Sequence, residues 1–195
     1  MIENDKKRFE IRTDLALEEQ ERFQEDNVEI SGVELQEWVE KQEGVRLSQV
    51  IIKNEEGAAA MGKPVGRYLT LEAPKLAEKD DDFHKEVTRI LSEQIWELLR
   101  VHHVEQSPIL VVGLGNRDAT PDALGPKVLE HLQVTRHLSL EYGKDFCEKH
   151  GYPILSGLTP GVMAQTGMET AEVIKGVIRE TQPGVVIVVD ALAAR

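Results

Sequence analysis

Two uninterrupted apolar runs constrain the fold of this chain more than any other feature. Residues 109–112 lead into the turn sequence Gly-Leu-Gly-Asn at 113–116, and Val185–Val189 leads directly into Asp190. Short continuous apolar runs that end in turn residues are typical of strands buried on both faces, as in parallel sheets. Parallel strands need crossover helices, and segments with helical spacing lie between the two runs at 127–132 and 169–181. The sequence therefore predicts an α/β domain.

The preceding part of the chain has a different pattern. Residues 45–52 and Gly66–Glu72 are rich in β-branched and apolar residues, and they flank a segment punctuated by Gly and Pro. We expect two strands of a hairpin or meander there. Three aspartates at 80–82 then precede apolar positions with helical spacing, which predicts a long helix capped by carboxylates and packed on the core. Those apolar positions are Phe83, Val87, Ile90, Leu91, Ile95 and Leu98.

Composition excludes several classes of protein. The chain has 195 residues and a formal net charge of -12, and this negative excess opposes binding to a nucleic-acid backbone. The one cysteine, Cys147, allows no internal disulfide, and there is no Cys/His cluster for a structural zinc. Residues 1–31 are dominated by charge and indicate a peripheral arm without a secretory signal, so we expect a cytoplasmic protein that does not enter a membrane.

Two aspartates are the best candidates for chemistry. In open α/β sheets, catalytic groups gather beyond the carboxyl ends of the parallel strands. Asp122 lies in the segment that follows the first apolar run, and Asp190 follows the second run directly. Two carboxylates in one crevice share a proton, so that one acts as a general base on water while the other protonates or polarises the substrate. The structural alternative is that Asp122 caps a helix and Asp190 holds a turn, and spacing alone does not choose between Asp122 and Asp118.

Other motifs are incomplete. Residues 57–63 match the start of a phosphate-binding loop, but Pro64 stands where Ser or Thr would hold magnesium. The pair Gly113 and Gly115 lacks the third glycine of a dinucleotide fingerprint. Cys147 has His150 three residues on, but its charged neighbours predict a surface position. We predict no cofactor, and a divalent ion held by the aspartates and a histidine stays open as an alternative.

Seven segments of the chain closely resemble the germination proteases of endospore-forming bacteria. They are IRTDLA (11–16), GRYLT (66–70), VGLGN (112–116), TPDALGP (120–126), VTRH (134–137), PGVM (160–163) and DALAAR (190–195). The resemblance implies an aspartic-type endopeptidase that starts the degradation of small acid-soluble spore proteins. It assigns the catalytic roles to Asp122 and Asp190 and not to Asp118. It also implies a three-layer α/β domain with a mixed, largely parallel sheet flanked by helices, akin to hydrogenase-maturation peptidases.

The same resemblance extends to maturation and assembly. Family members are zymogens that remove a short N-terminal propeptide, and their substrates are cut after an acidic residue that precedes an apolar residue and alanine. Thr13-Asp14-Leu15-Ala16 is similar to such a site, so we expect self-cleavage between Asp14 and Leu15, with 1–14 as propeptide and 15–195 as part of one peptidase domain. The resemblance further implies a homotetramer in the forespore or spore core that does not bind DNA, and family chains that continue well past Arg195.

Overall fold

The computed structural model describes residues 31–39 and 44–192. The predicted propeptide, the Asp14–Leu15 cleavage site and nearly all of the charged arm lie outside the described residues. The described part divides into two compact units, whose boundary in the sequence falls between Glu93 and Gln94. Each unit has its own three-stranded sheet.

The first unit is built on an antiparallel sheet in the order β1-β2-β3. Its elements are β1 (Val33–Val39), β2 (Arg46–Ile52), helix α1 (Glu55–Met61), β3 (Gly66–Glu72), a 3-10 helix (Pro74–Ala77) and the start of α2 (Asp81–Val101). The pairing of β2 with β3, which sets Arg46 opposite Glu72 and Ile52 opposite Gly66, confirms the predicted hairpin or meander. Strand β1 was not predicted.

Two apolar clusters stabilise this first unit. One contains Val45, Leu47, Phe83, Val87 and Ile90, and the other contains Val50, Ile52 and Met61. Helix α2 begins where the sequence predicts, because the Asp80 carboxylate accepts the N–H groups of Asp82 and Phe83 at 3.1 and 3.0 Å. The predicted apolar face of α2 is buried only over its first part, since Leu91 and Ile95 are exposed.

Helix α1 replaces the phosphate-binding loop that residues 57–63 superficially match. Asn54 caps it by accepting the Gly57 N–H at 2.9 Å, and Gly62 ends it in the left-handed conformation at φ 61°. The glycine and alanines of this segment are therefore helix residues, and β3 follows them.

The second unit contains the parallel sheet that the two apolar runs predict. Its strands are β4 (Ile109–Gly113), β5 (Leu155–Leu158) and β6 (Val185–Val189), in the order β5-β4-β6. Its further helices are α3 (Leu124–Glu130), α4 (Arg136–Tyr142), α5 (Lys144–His150), α6 (Met163–Thr166) and α7 (Thr170–Thr181). The α/β class is thus confirmed, with every residue of the central strand β4 buried. The likeness to hydrogenase-maturation peptidases stays a prediction.

Strand β5 is attached to the segment before α4 by the buried residue Thr135. The Thr135 hydroxyl accepts the Leu155 N–H at 3.0 Å and donates to the Pro153 carbonyl, while the Thr135 N–H donates to the Leu155 carbonyl at 2.8 Å. Cys147, on α5, is 1% exposed, so the predicted surface position of this thiol is wrong. Among the described residues, no helix is long and apolar enough to cross a membrane.

Candidate active site

The ends of β4 and β6 are joined by one backbone hydrogen bond. The N–H of Leu114, the residue after β4, donates to the carbonyl of Val189 at 2.8 Å. Asp190 follows Val189 without an intervening residue. Since β4 and β6 are parallel, this bond lies at the carboxyl edge of the sheet, where ligands gather in α/β proteins.

Glycine allows helix α3 to approach that edge closely. A Cβ on Gly125 would lie 2.3 Å from the Leu114 carbonyl oxygen and 2.6 Å from the Val189 carbonyl oxygen. A Cβ on Gly113 would lie 2.3 Å from the Gly125 carbonyl oxygen. These distances are all too short for a real side chain, so glycines at both positions permit the packing of α3 against the two strand ends.

Asp122 is held at this edge by the loop that follows β4. It ends a 3-10 helix (Thr120–Asp122) directly before α3, and its Oδ2 accepts the backbone N–H of Asn116 at 2.8 Å. The turn at Gly115, with φ +110°, passes so close to Asp122 that a Cβ there would lie 2.1 Å from the Asp122 carbonyl oxygen. The side chain of Asp122 is therefore oriented by backbone geometry, in a half-buried position.

Asp190 reaches the same edge from β6. It is exposed, and its Oδ1 accepts the N–H of Ala191 at 2.8 Å. From the described residues, Asp122 Oδ1 and Asp190 Oδ2 accept no hydrogen bond, so each carboxylate keeps one oxygen for a water molecule or a substrate. The two candidate aspartates thus lie on segments that the bond from Leu114 to Val189 ties together, and their catalytic roles stay predictions.

The other candidate residues are placed differently. Asp118 is exposed in the turn between β4 and Asp122, and its N–H donates to Asn116 Oδ1 at 3.0 Å. His150 lies three residues after Cys147 in the sequence. Its imidazole ring packs against the ring of Phe146, and the two ring centroids are 4.4 Å apart. Within 31–39 and 44–192, no group of three or more His, Cys, Asp and Glu side chains is arranged to hold a metal ion.

Sequence reasoning missed Asn116 as a site residue. Its backbone N–H orients Asp122 and its side chain orients the turn at Asp118. The side-chain bond has a signal in the sequence, because the side chain of an Asn in a tight turn typically bonds to the backbone two residues on.

Comparison with known proteins identifies the family. The model of the germination protease family, peptidase family A25, matches residues 10–195. The chain belongs to the germination protease family. The resemblance found in the sequence is thereby confirmed.

Individual germination proteases match nearly the whole chain. The germination protease of Caldanaerobacter subterraneus subsp. tengcongensis is 46% identical over 189 residues, which are 95% of this chain and 55% of the relative. Those of Clostridium tetani and Bacillus velezensis are each 42% identical, over 95% and 99% of this chain and 56% and 52% of the relatives. The chain spans about half the length of the curated relatives it matches.

Proposed function

We propose that this chain is an endopeptidase in which Asp122 and Asp190 activate a water molecule. The observation that carries the proposal is the bond from the Leu114 N–H to the Val189 carbonyl at 2.8 Å, because it ties the segment before Asp122 to the residue before Asp190. Membership of a protease family supplies the reaction type. The fixed backbone around Asp122 supplies the orientation that a catalytic group needs.

The proposed mechanism divides the two steps of hydrolysis between the aspartates. Two neighbouring carboxylates share one proton, since ionising both brings like charges together. The ionised carboxylate takes a proton from water, whose oxygen attacks the peptide carbonyl. The protonated carboxyl donates its proton to the carbonyl oxygen, which gives a tetrahedral diol. The other carboxyl then gives the proton it took from water to the leaving amine, and the C–N bond breaks. One diol hydroxyl returns a proton to the first carboxylate, so the dyad again holds one shared proton.

The proposed substrates are small acid-soluble spore proteins, which the enzyme would cut after an acidic residue. The proposal includes a zymogen that cleaves itself between Asp14 and Leu15, and a homotetramer in the spore core. The acidic composition of the chain supports it, since a net charge of -12 keeps the enzyme from binding DNA while it meets proteins released from DNA.

The test is cleavage of a peptide that contains Thr-Glu-Ile-Ala by the 195-residue chain, with and without a chelator. Asp122→Asn and Asp190→Asn preserve shape and remove the ionisable group, so each should lower kcat/KM by about two to four orders of magnitude. Asp118→Asn is the matched control, because Asp118 contributes its backbone to the same loop and should retain activity within about threefold.

Three outcomes contradict the proposal. The first is a folded chain that leaves the peptide intact, which favours a catalytically inert fragment. The second is undiminished cleavage by both Asn variants. The third is loss of activity on addition of chelator, which favours metal-assisted hydrolysis. For maturation, mass spectrometry should find Leu15 as the new N-terminus, and any other first residue contradicts the Asp14–Leu15 site.

A further inference from the structure

An open pocket of about 360 Å³ lies at the same edge of the parallel sheet as the two aspartates. Its apolar lining comes from Pro126 and Leu129 of α3, from Val134, and from the bare backbone of Gly157 in β5. A Cβ on Gly157 would lie 2.7 Å from Leu129 Cδ1 and 3.5 Å from Val134 Cγ1. Glycine at this position therefore leaves an aliphatic surface that a side chain from β5 would otherwise disturb.

The charged groups of the pocket neutralise each other. Arg117 Nε donates to Glu130 Oε1 at 2.5 Å, and both residues line the pocket. An arginine already paired with a carboxylate offers little net charge to a ligand, and burying a charged ligand group beside apolar atoms is unfavourable. The chemistry of the lining thus favours an aliphatic side chain as the occupant.

The position of the pocket relates it to the candidate dyad. Arg117 directly follows Asn116, which orients Asp122, and Thr159 lines the pocket just after the carboxyl end of β5. Pro126 is four residues after Asp122, and a helical stretch of that length rises roughly 6 Å. An extended peptide advances about 3.3 Å per residue. In a bound substrate, roughly two residues would therefore separate the peptide bond at Asp122 from the side chain in the pocket.

We infer that this pocket is the subsite for an aliphatic side chain of the peptide substrate, within two residues of the cleaved bond. The inference rests on the proposed function, because it takes Asp122 and Asp190 as the reacting groups. Asp190 follows β6, on one side of the central strand β4, whereas the pocket borders β5, on the other side. The substrate accordingly runs across the strand ends from the β6 side to the β5 side.

The experiment compares peptides that carry Ala, Leu or Phe at each of the two positions on either side of the cleaved bond. At one of these positions the unmodified chain should prefer Leu over Ala by about tenfold in kcat/KM, as expected for partial burial of three additional carbons. Val134→Phe, which fills the pocket, should remove that preference. Val134→Ala, which enlarges the pocket, should raise cleavage of the Phe peptide relative to the Leu peptide.

The matched control is Val128→Phe, on α3 but outside the pocket lining. Val128 is 36% exposed and Val134 is 45% exposed, so both sites accept a larger side chain at the surface. Val128→Phe should keep the Leu preference. Circular dichroism verifies that each variant is folded.

Binding separates this inference from the proposed mechanism. The same peptides, made with a CH₂–NH group in place of the cleaved amide, are titrated against the chain and its Asp122→Asn variant by fluorescence anisotropy. The Leu peptide should bind about tenfold more tightly than the Ala peptide to both proteins, and Val134→Phe should abolish the difference. Equal binding of the two peptides, or a Leu preference that survives Val134→Phe, overturns the subsite. A Leu preference in binding together with undiminished cleavage by the Asn variants overturns the mechanism and leaves the subsite standing.

Discussion

Substitution of Gly125 by alanine tests whether the close approach of α3 to the strand ends determines the geometry of the site. The added Cβ would stand 2.3 Å from the Leu114 carbonyl oxygen, 2.5 Å from the Leu114 nitrogen and 2.6 Å from the Val189 carbonyl oxygen. All three are backbone atoms of the segments that precede the candidate aspartates. Since no flexible side chain can move aside, the helix must retreat by about 1 Å to reach ordinary van der Waals contact.

The retreat has a consequence for stability and another for activity. Forcing one extra carbon into a closely packed position costs about 1 to 3 kcal/mol, which lowers the melting temperature of a unit of this size by roughly 4 to 15 °C. A displacement of about 1 Å in the groups around the reacting atoms lowers kcat/KM by about a hundredfold. Asp122 moves with α3 while Asp190 stays on β6, so the spacing of the dyad changes.

The assay combines thermal unfolding, followed by circular dichroism, with cleavage of the Thr-Glu-Ile-Ala peptide. Gly176→Ala is the control, because a Cβ at Gly176, inside α7, meets no atom within 4 Å. This control should raise stability by about 0.5 to 1 kcal/mol through helix propensity and leave cleavage unchanged. A Gly125→Ala variant with unaltered melting temperature and unaltered kcat/KM would refute the reasoning, since it would show that α3 does not need this approach.

Three further predictions concern positions away from the dyad. Thr135→Val leaves the Leu155 N–H without its buried acceptor and should lower the free energy of unfolding by about 1 to 3 kcal/mol in urea denaturation; a change below about 0.5 kcal/mol would contradict the role of Thr135 in attaching β5. Asn54→Ala removes the N-cap of α1 and should cost about 1 kcal/mol, whereas Asn54→Asp, which keeps an acceptor, should cost little by the same measurement. Hydrogen bonding from Arg89, aided by its charge and opposed by desolvation, lowers the pKa of Glu86, so this contact contributes stability above the ordinary glutamate pKa that is lost as the pH falls through the lowered value. In an NMR titration, Arg89→Gln should move the Glu86 pKa upward, and an unmoved value would exclude Arg89 as the cause.

The parallel sheet was the most predictable part of the fold. The runs that became β4 and β6 are continuous and apolar, which is the pattern of strands in parallel sheets. Every residue of β4 is buried, whereas Val186 and Val188 of β6 are exposed, so the predicted burial of both faces is confirmed for β4 and wrong for β6. Strand β5 has only four residues, including Ser156 and Gly157, and it is defined by pairing with β4 rather than by its own composition. No local pattern in those four residues would have revealed it.

The missed elements of the first unit carried weaker signals. Strand β1 alternates apolar Val33 and Leu35 with polar Glu34 and Gln36, a half-buried pattern that begins just after the charged residues 1–31 and for which no element was predicted. Helix α1 has both an Asn cap and a C-terminal glycine, yet its Gly and Ala content resembles a loop. In both segments the local sequence did not choose between regular structure and loop, and tertiary packing determined the element that formed.

The candidate site shows the same division. That two aspartates follow parallel strands was predictable, because strand order places carboxyl ends at one edge. The orientation of Asp122 by the Asn116 N–H depends on the turn at Gly115, and the choice of Asp122 over Asp118 came from resemblance rather than from spacing. Hydrogen bonds between residues six apart in a loop follow from backbone conformation, which sequence patterns do not encode.

The single buried cysteine allows local opening of the second unit to be measured by thiol labelling. Cys147 is the one thiol in the sequence and is 1% exposed on α5, so a reagent such as a disulfide or a maleimide reaches it only when the surrounding structure opens. The labelling rate under native conditions therefore counts opening events without an added probe or an engineered site. A ligand that binds the closed form should lower the labelling rate of Cys147 as its occupancy rises, whether or not the ligand is ever cleaved.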